Sequence, residues 1–247
     1  MKVFIAGQKY FGRLVYEAVR GMGLDVIGVC SPAFRDARLR AFVGGPEDRP
    51  DRLRDAADRD GVPWMEAGNL RAETLPGGVD LIIAAHSFDF IGRPTRDKCK
   101  LGAIGYHPSL LPLHRGRDAV RWTIRMGDRI AGGTVYWLND TVDGGPVAAQ
   151  DWCFVRPGWD AQKLWRNELQ PMGVRLIVQT LADVRRGLLV RIPQDAALAS
   201  WEPSINQPPL YRPELLQIGG AWDGYRIVTE RWATMTAQTP TLLDGAP

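Results

Sequence analysis

The sequence predicts an α/β fold built around a mainly parallel sheet, and three observations carry that prediction. Short apolar runs alternate with stretches of helical spacing in the order βαβαβ, joined by short connections. The run VDLIIAA, residues 79 to 85, is apolar but for Asp80, as a parallel strand covered on both faces tends to be. Glycines at 7, 21, 61 and 127 close the successive segments.

The elements follow in order. Lys2 to Ala6 is a short β-branched and apolar run that stops at Gly7, and FGRLVYEAVRGMG places Leu14, Val15, Ala18 and Val19 at helical spacing before Gly21. LDVIGVCSP reads as a buried strand, DRLRDAADRDG as a surface helix closed by Gly61, and VPW as a brief strand. After the 79 to 85 strand comes GAIGYH, a strand interrupted by glycines. A proline-rich loop follows, and RDAVRWTIRMGD then suits a helix with apolar Ala119, Val120, Ile124 and Met126. TVYWL and VAAQDWCFV read as two strands joined by the polar turn NDTVDGG, and Trp159 to Gly187 is helical again with Pro171 breaking or kinking it. Beyond about Gln194 the composition turns to prolines and tryptophans. This divides the chain into an α/β unit, 1 to 195, and a short Pro- and Trp-rich appendage, 196 to 247, either folded back on that unit or part of an interface between copies.

Bulk properties narrow the class. In 247 residues, 45% hydrophobic and 24% charged content is ordinary for a soluble globular protein. The formal charge of +3 is spread along the chain, so nucleic acid is not an expected partner. Cys30, Cys99 and Cys153 are far apart with no CxxC pair, which points to a reducing compartment. The apolar opening is too short for a signal peptide and no run reaches membrane-spanning length, so the expected location is the cytoplasm.

Ligands of open α/β sheets sit at the carboxyl ends of strands where the strand order reverses. Three segments are placed to meet there: HSFDF, HPSLLP and NDTVDGG, offering His86, Asp89, His107, Asp140 and Asp143. Pro108 restricts His107 to extended backbone and Pro112 stiffens the loop behind it. On spacing alone a catalytic imidazole and a turn-bonding one remain equally open, and for His86 and His114 a structural or substrate-lining role is the simpler reading. Asp143, in a glycine-rich turn, reads locally as a turn former. Paired with His107 it becomes chemistry, because a carboxylate beside an imidazole favours the charged ring and sets its tautomer. Other motifs fail. AGQKYFGRL has Arg-Leu where a Walker A loop needs Lys-Ser or Lys-Thr, and no GxGxxG follows the first strand. His107 and His114 lack a third ligand at zinc-like spacing, so no metal is expected.

HPSLLPLHRG, followed by GDRIAGGTVYWLNDTVDGG, resembles the folate-dependent formyltransferase family. That family includes methionyl-tRNA formyltransferase, glycinamide ribonucleotide formyltransferase and the hydrolase domain of 10-formyltetrahydrofolate dehydrogenase. The similarity covers about residues 1 to 195, and the opening GQxxFG with YHPSLLPxHRG looks most like the last of these. The resemblance implies a Rossmann-like formyltransferase fold, 10-formyltetrahydrofolate as formyl donor, and a catalytic Asn, His and Asp. Matched position by position, the His is His107 and the Asp is Asp143, while the Asn falls on Gly105. It also implies a pterin pocket built from Ala84, Ala85, His86, Phe88 and Phe90, with Leu138, Asn139 and Asp140 on the facing loop. For Phe88 and Phe90 core packing is an equal reading. Arg115 is expected to shape its loop or meet an anionic group.

Formyl transfer passes through a tetrahedral intermediate with an anionic oxygen, and losing one donor to that oxygen costs about 2.7–4 kcal/mol when nothing replaces it. Gly105 therefore poses a choice of reactions. The leading expectation is transfer from 10-formyltetrahydrofolate to an amine of a small-molecule acceptor. The alternative is hydrolysis to formate and tetrahydrofolate, with His107 and Asp143 activating water. Methionyl-tRNA formylation fits less well, since the family's tRNA enzyme carries a basic carboxyl-terminal barrel and this tail is slightly acidic. A folate-binding protein without chemistry would gain little from keeping both His107 and Asp143.

Overall fold

The computed structural model describes residues 1–33 and 49–202, Ile205, and the backbone of Arg226–Ile227. Most of the expected appendage, 196 to 247, lies outside the described residues. A seven-stranded sheet organises the rest. Its strands are β1 (Lys2–Gly7), β2 (Asp25–Ser31), β3 (Trp64–Glu66), β4 (Leu81–Ala85), β5 (Ala103–His107), β7 (Ile130–Trp137) and β8 (Val147–Phe154). The spatial order is β3-β2-β1-β4-β5-β7-β8, parallel from β3 to β5 and antiparallel across β5, β7 and β8. The chain leaves β1 on one side to make β2 and β3, then returns past it to make β4. The strand order thus reverses between β1 and β4, and the carboxyl ends of the central strands lie along one edge.

The mainly parallel sheet is covered on both faces, which is why the central strands read as unbroken apolar runs. Strand alternation sends Val3 and Ile5 to a face packed by Phe11, Val15 and Val19 of α1 (Lys9–Gly21), Leu53 of α2 (Arg52–Arg59) and Leu176 of a later helix. Phe4, Ala6, Ile82 and Ala103 point to the other face, against Leu70, Leu75, Ile91 and Cys99. Gly7 is needed where α1 meets the sheet: a Cβ there would lie 2.6 Å from the Ala85 carbonyl oxygen. The glycines of GQKYFG thus serve packing.

Between the sheet strands lie α3 (Arg93–Arg96), the two-residue β6 (Arg115–Gly116) and α4 (Ala119–Arg125). A second, three-stranded sheet pairs β6 with β9 (Ser200–Glu202), and β9 with β10 (Arg226–Ile227). Two expectations shift. The brief strand falls on Trp64–Glu66 rather than on VPW, because its register with Val29, Cys30 and Ser31 begins at Trp64. The expected break at Pro171 appears as a change of winding: α5 (Ala161–Leu164) runs into a π turn (Trp165–Leu169), then α6 (Gln170–Arg185) starts with Pro171 in its first turn. Proline lacks the N–H that an uninterrupted helix would use there, and the winding changes just before that missing donor. Among the described residues no helix is long and apolar enough to cross a membrane.

Candidate active site

His107 is the last residue of β5, and the loop after it is tied down through its own backbone. The Thr134 hydroxyl donates to the Ser109 carbonyl (2.7 Å) and accepts from the Leu111 N–H (3.1 Å), while the Gln150 amide donates to the Leu111 carbonyl (2.9 Å). Satisfying those backbone groups makes the proline-rich loop rigid. The buried His107 ring is clamped by it: Nε2 lies 2.6 Å from the His114 carbonyl oxygen and Nδ1 lies 3.6 Å from Asp143 Oδ2. A carbonyl only accepts, so Nε2 carries a proton, and Nδ1 is the nitrogen that faces Asp143.

Asp143 is reached from the other side, by the turn between β7 and β8. Its φ of 48° is left-handed. Gly145, two residues on, presses so closely on the Trp137 carbonyl that a Cβ would fall 1.7 Å from that oxygen. Gln194 donates from Nε2 to the carbonyls of Asp143 (2.8 Å) and Gly145 (2.7 Å), and Arg115 holds the Gln194 Oε1 at 3.1 and 2.7 Å. Arg115 thus steadies the turn that carries Asp143, through Gln194. The Asp143 carboxylate accepts from the Gly116 N–H at Oδ2 (2.8 Å) and from the Tyr136 hydroxyl at Oδ1 (2.5 Å). Burial, followed by the negative charge of Asp143, raises the Tyr136 phenol well above its ordinary range, so it remains a donor.

A cavity of about 250 Å³ opens beside this cluster, walled in part by Ala84, His86, Gly105, Tyr136, Leu138 and Asp143. His107 is not on its wall. It stands behind Asp143, which is the member of the pair that meets the cavity. The volume falls below the roughly 300–1,000 Å³ of drug-sized sites, so a ring system fits with the rest of a larger molecule outside.

His86 enters from the carboxyl end of β4, next to the point of strand reversal, with a left-handed φ of 58°. Its ring stacks on Trp165 at 4.6 Å between centroids and lies 5.0 Å from Phe11. The π turn presents Trp165 there, and the Tyr106 hydroxyl donates to the Leu169 carbonyl at the end of that turn (2.6 Å). Desolvation, then the charges of Lys9 and His107, push the His86 imidazole down to about 4, so it is neutral at pH 7. Such π turns and left-handed side chains recur at functional sites.

Of the residues expected along the pterin, Ala84, His86, Phe90, Leu138 and Asn139 line this cavity. Ala85 does not: alternation turns its side chain into the opposite core, and its carbonyl accepts from the Gln8 N–H. Phe88 is 70% exposed and faces a neighbouring depression shared with Phe90. Asp140 points away, paired with Arg93 and with Arg96 (2.6 Å). Asp89 reaches the rim but spends its carboxylate on the N–H groups of Gly68 (2.6 Å) and Leu70 (3.3 Å). Three contributors were not read from the sequence as site residues: Tyr136, Trp165 and Gln194. Only the YW before the turn gave any signal, as part of the resemblance.

A family model described as Formyl transferase matches residues 64–181. Across those residues the chain belongs to the formyl transferase family. It is 33% identical over 212 residues to the human mitochondrial 10-formyltetrahydrofolate dehydrogenase, a match covering 82% of this chain and 22% of that protein. The chain therefore spans about a fifth of the length of such relatives. Among solved structures, glycinamide ribonucleotide transformylase 1 from Symbiobacterium toebii superposes with a TM-score of 0.59 at 21% identity, covering 78% of this chain and 93% of that one. The N-formyltransferase from Helicobacter canadensis, solved with folinic acid and dTDP-3-aminofucose, gives a TM-score of 0.65 at 16% identity, covering 81% and 70%. The α/β formyltransferase fold expected from the sequence is thus shared with these structures.

Proposed function

We propose that the chain removes the formyl group of 10-formyltetrahydrofolate and transfers it to an amine of a small-molecule acceptor. One observation carries the reading: Asp143 stands at the cavity wall with a buried imidazole behind it, so a proton taken from a bound nucleophile has a way out of the site. In the proposed step the acceptor nitrogen attacks the formyl carbon, the bond from that carbon to N10 breaks, and the proton lost by the acceptor returns to N10 by way of Asp143, with His107 sharing the charge. The pterin would occupy the cavity against the main chain of 84 to 90 and 138 to 143. The relatives support the donor through their names, and the Helicobacter canadensis structure holds a folate together with an amino sugar nucleotide.

Hydrolysis is the second reading. Gly105 brings no amide to the formyl oxygen, and similarity to the dehydrogenases extends over most of the chain. There Asp143 would take its proton from water and the products would be formate and tetrahydrofolate. The protein as a cytoplasmic enzyme that takes no nucleic acid, with 1 to 195 as its catalytic unit and 196 to 247 as an appendage able to join copies, belongs to the same proposal.

Incubation with 10-formyltetrahydrofolate, alone and with a panel of small amines including amino sugar nucleotides, tests it. Formyl loss that one amine accelerates at least tenfold, with the formylated amine as product, is the expected result. Equal turnover without any amine would replace transfer by hydrolysis, and binding without turnover would remove the enzyme reading.

A further inference from the structure

We infer that Tyr136 is a positioning residue for Asp143, and that the absence of a side chain at Gly105 is what lets it stand there. The inference rests on the reading of Asp143 as the proton-handling group. Gly105 and Tyr136 are direct partners across β5 and β7. A Cβ placed on Gly105 would touch the Tyr136 ring at 3.4 and 3.5 Å and the Leu138 side chain at 3.1 Å. Any longer side chain at 105 must displace that ring or fill the cavity both residues line.

The phenol in turn decides how Asp143 is presented. Its 2.5 Å hydrogen bond occupies Oδ1, while the Gly116 N–H holds Oδ2, the oxygen that faces His107 Nδ1. Two donors from two different elements fix both the rotation and the tilt of a carboxylate that projects from a left-handed backbone position. Without the phenol, only the Gly116 contact would restrain it, and the carboxylate would turn about its last bond. Tyr136 cannot take up the proton itself, because its environment keeps the phenol protonated. It acts through Asp143, so loss of its hydroxyl slows the chemical step while the ring that lines the cavity stays in place.

Tyr136→Phe in the full chain, assayed with 10-formyltetrahydrofolate, tests this. The expected kcat is about 10- to 100-fold below that of the unaltered protein, the worth of one hydrogen bond to a charged group, with KM and tetrahydrofolate affinity within threefold. Adding Asp143→Asn to Tyr136→Phe should cost no more than Asp143→Asn alone, since the phenol then has nothing to position. A proton nuclear magnetic resonance spectrum supplies a readout that needs no turnover: the short hydrogen bond should give a downfield phenolic resonance, absent from Tyr136→Phe and from Gly105→Leu. Unchanged kcat in Tyr136→Phe, additive losses in the double variant, or no such resonance in the unaltered protein would each overturn the inference. Absence of formyl loss from the unaltered protein with the resonance present would instead defeat the proposed function, and with it the positioning role, while leaving the Tyr136–Asp143 contact in place.

Discussion

His107 and His114 stand at the two ends of one loop, both buried, and they differ in how fully their rings are partnered. His114 lies between two carboxylates: Nε2 is hydrogen-bonded to Asp128 Oδ2 at 2.8 Å and Nδ1 is in charge contact with Glu202 Oε1 at 3.1 Å. Burial alone would lower its pKa, but the two carboxylates outweigh that and push the imidazole up to about 9. The Glu202 contact is close without hydrogen-bond alignment, so a carboxylate with 1% side-chain exposure is held by charge. His107 has one carboxylate, at 3.6 Å, and that carboxylate also faces a cavity. A ring set between two carboxylates ties the loop to the β9 segment. A ring whose Nδ1 faces a carboxylate at a cavity wall can share a proton that the carboxylate receives from a bound nucleophile. The same side chain serves structure at one end and is available for chemistry at the other.

The contrast can be broken by substitution. Asp143→Asn should have the largest effect, lowering kcat for formyl loss by about 10³- to 10⁴-fold, the upper range for a positioned acid or base, in an assay of tetrahydrofolate release. His107→Ala should follow at about 10²- to 10³-fold with folate affinity within a few-fold; a large loss of affinity in an equilibrium binding titration would recast the residue as structural. His114→Ala should act on stability. It strands Glu202 as a buried unpaired charge, expected to cost about 3–5 kcal/mol and so to lower the melting temperature by roughly 10 °C, while kcat of the folded protein changes less than tenfold. A melting temperature unchanged by this variant would show that the charge cluster does not hold the loop.

Smaller in size, and sharper in sign, is the dependence of stability on pH. A histidine whose pKa is raised on folding contributes fully below its unfolded pKa of about 6.5, and that contribution fades as pH rises through the folded value near 9. On the order of 3 kcal/mol is at stake for His114. His86 works in the opposite window: held down to about 4, it withdraws stability as pH falls below about 6.5. Thermal melts from pH 4 to 10 should therefore fall at both ends, and His114→Ala should flatten the alkaline limb while leaving the acid one.

Much of the fold was legible because burial writes itself into composition. Leu81 to Ala85 is apolar since β4 is covered on both faces, and β4 pairs in parallel with β1 and β5, in keeping with the mainly parallel sheet expected. His107 and Asp143 emerged through the resemblance, and their residue types in a rigid loop and a glycine turn agreed with it. What stayed hidden is set by register and by distance along the chain. That Tyr136 lies opposite Gly105 depends on a pairing whose continuation into β8 shifts at Val135/Tyr136, which no composition shows. Trp165 meets His86, 79 positions earlier in the chain, only because a π turn swings it inward. Asp89 and Asp140 looked as available as Asp143 in the sequence. Their neighbours' free N–H groups and guanidinium groups claim them, and such partners are chosen by the folded chain.

The most direct test of the account is a structure with a folate analogue carrying a formyl group. The account predicts the pterin in the cavity beside Gly105, N10 about 3 Å from an Asp143 carboxylate oxygen, and His107 behind that carboxylate without contact to the folate. A folate bound at another surface, or one whose formyl group lies beyond the reach of Asp143, would contradict it.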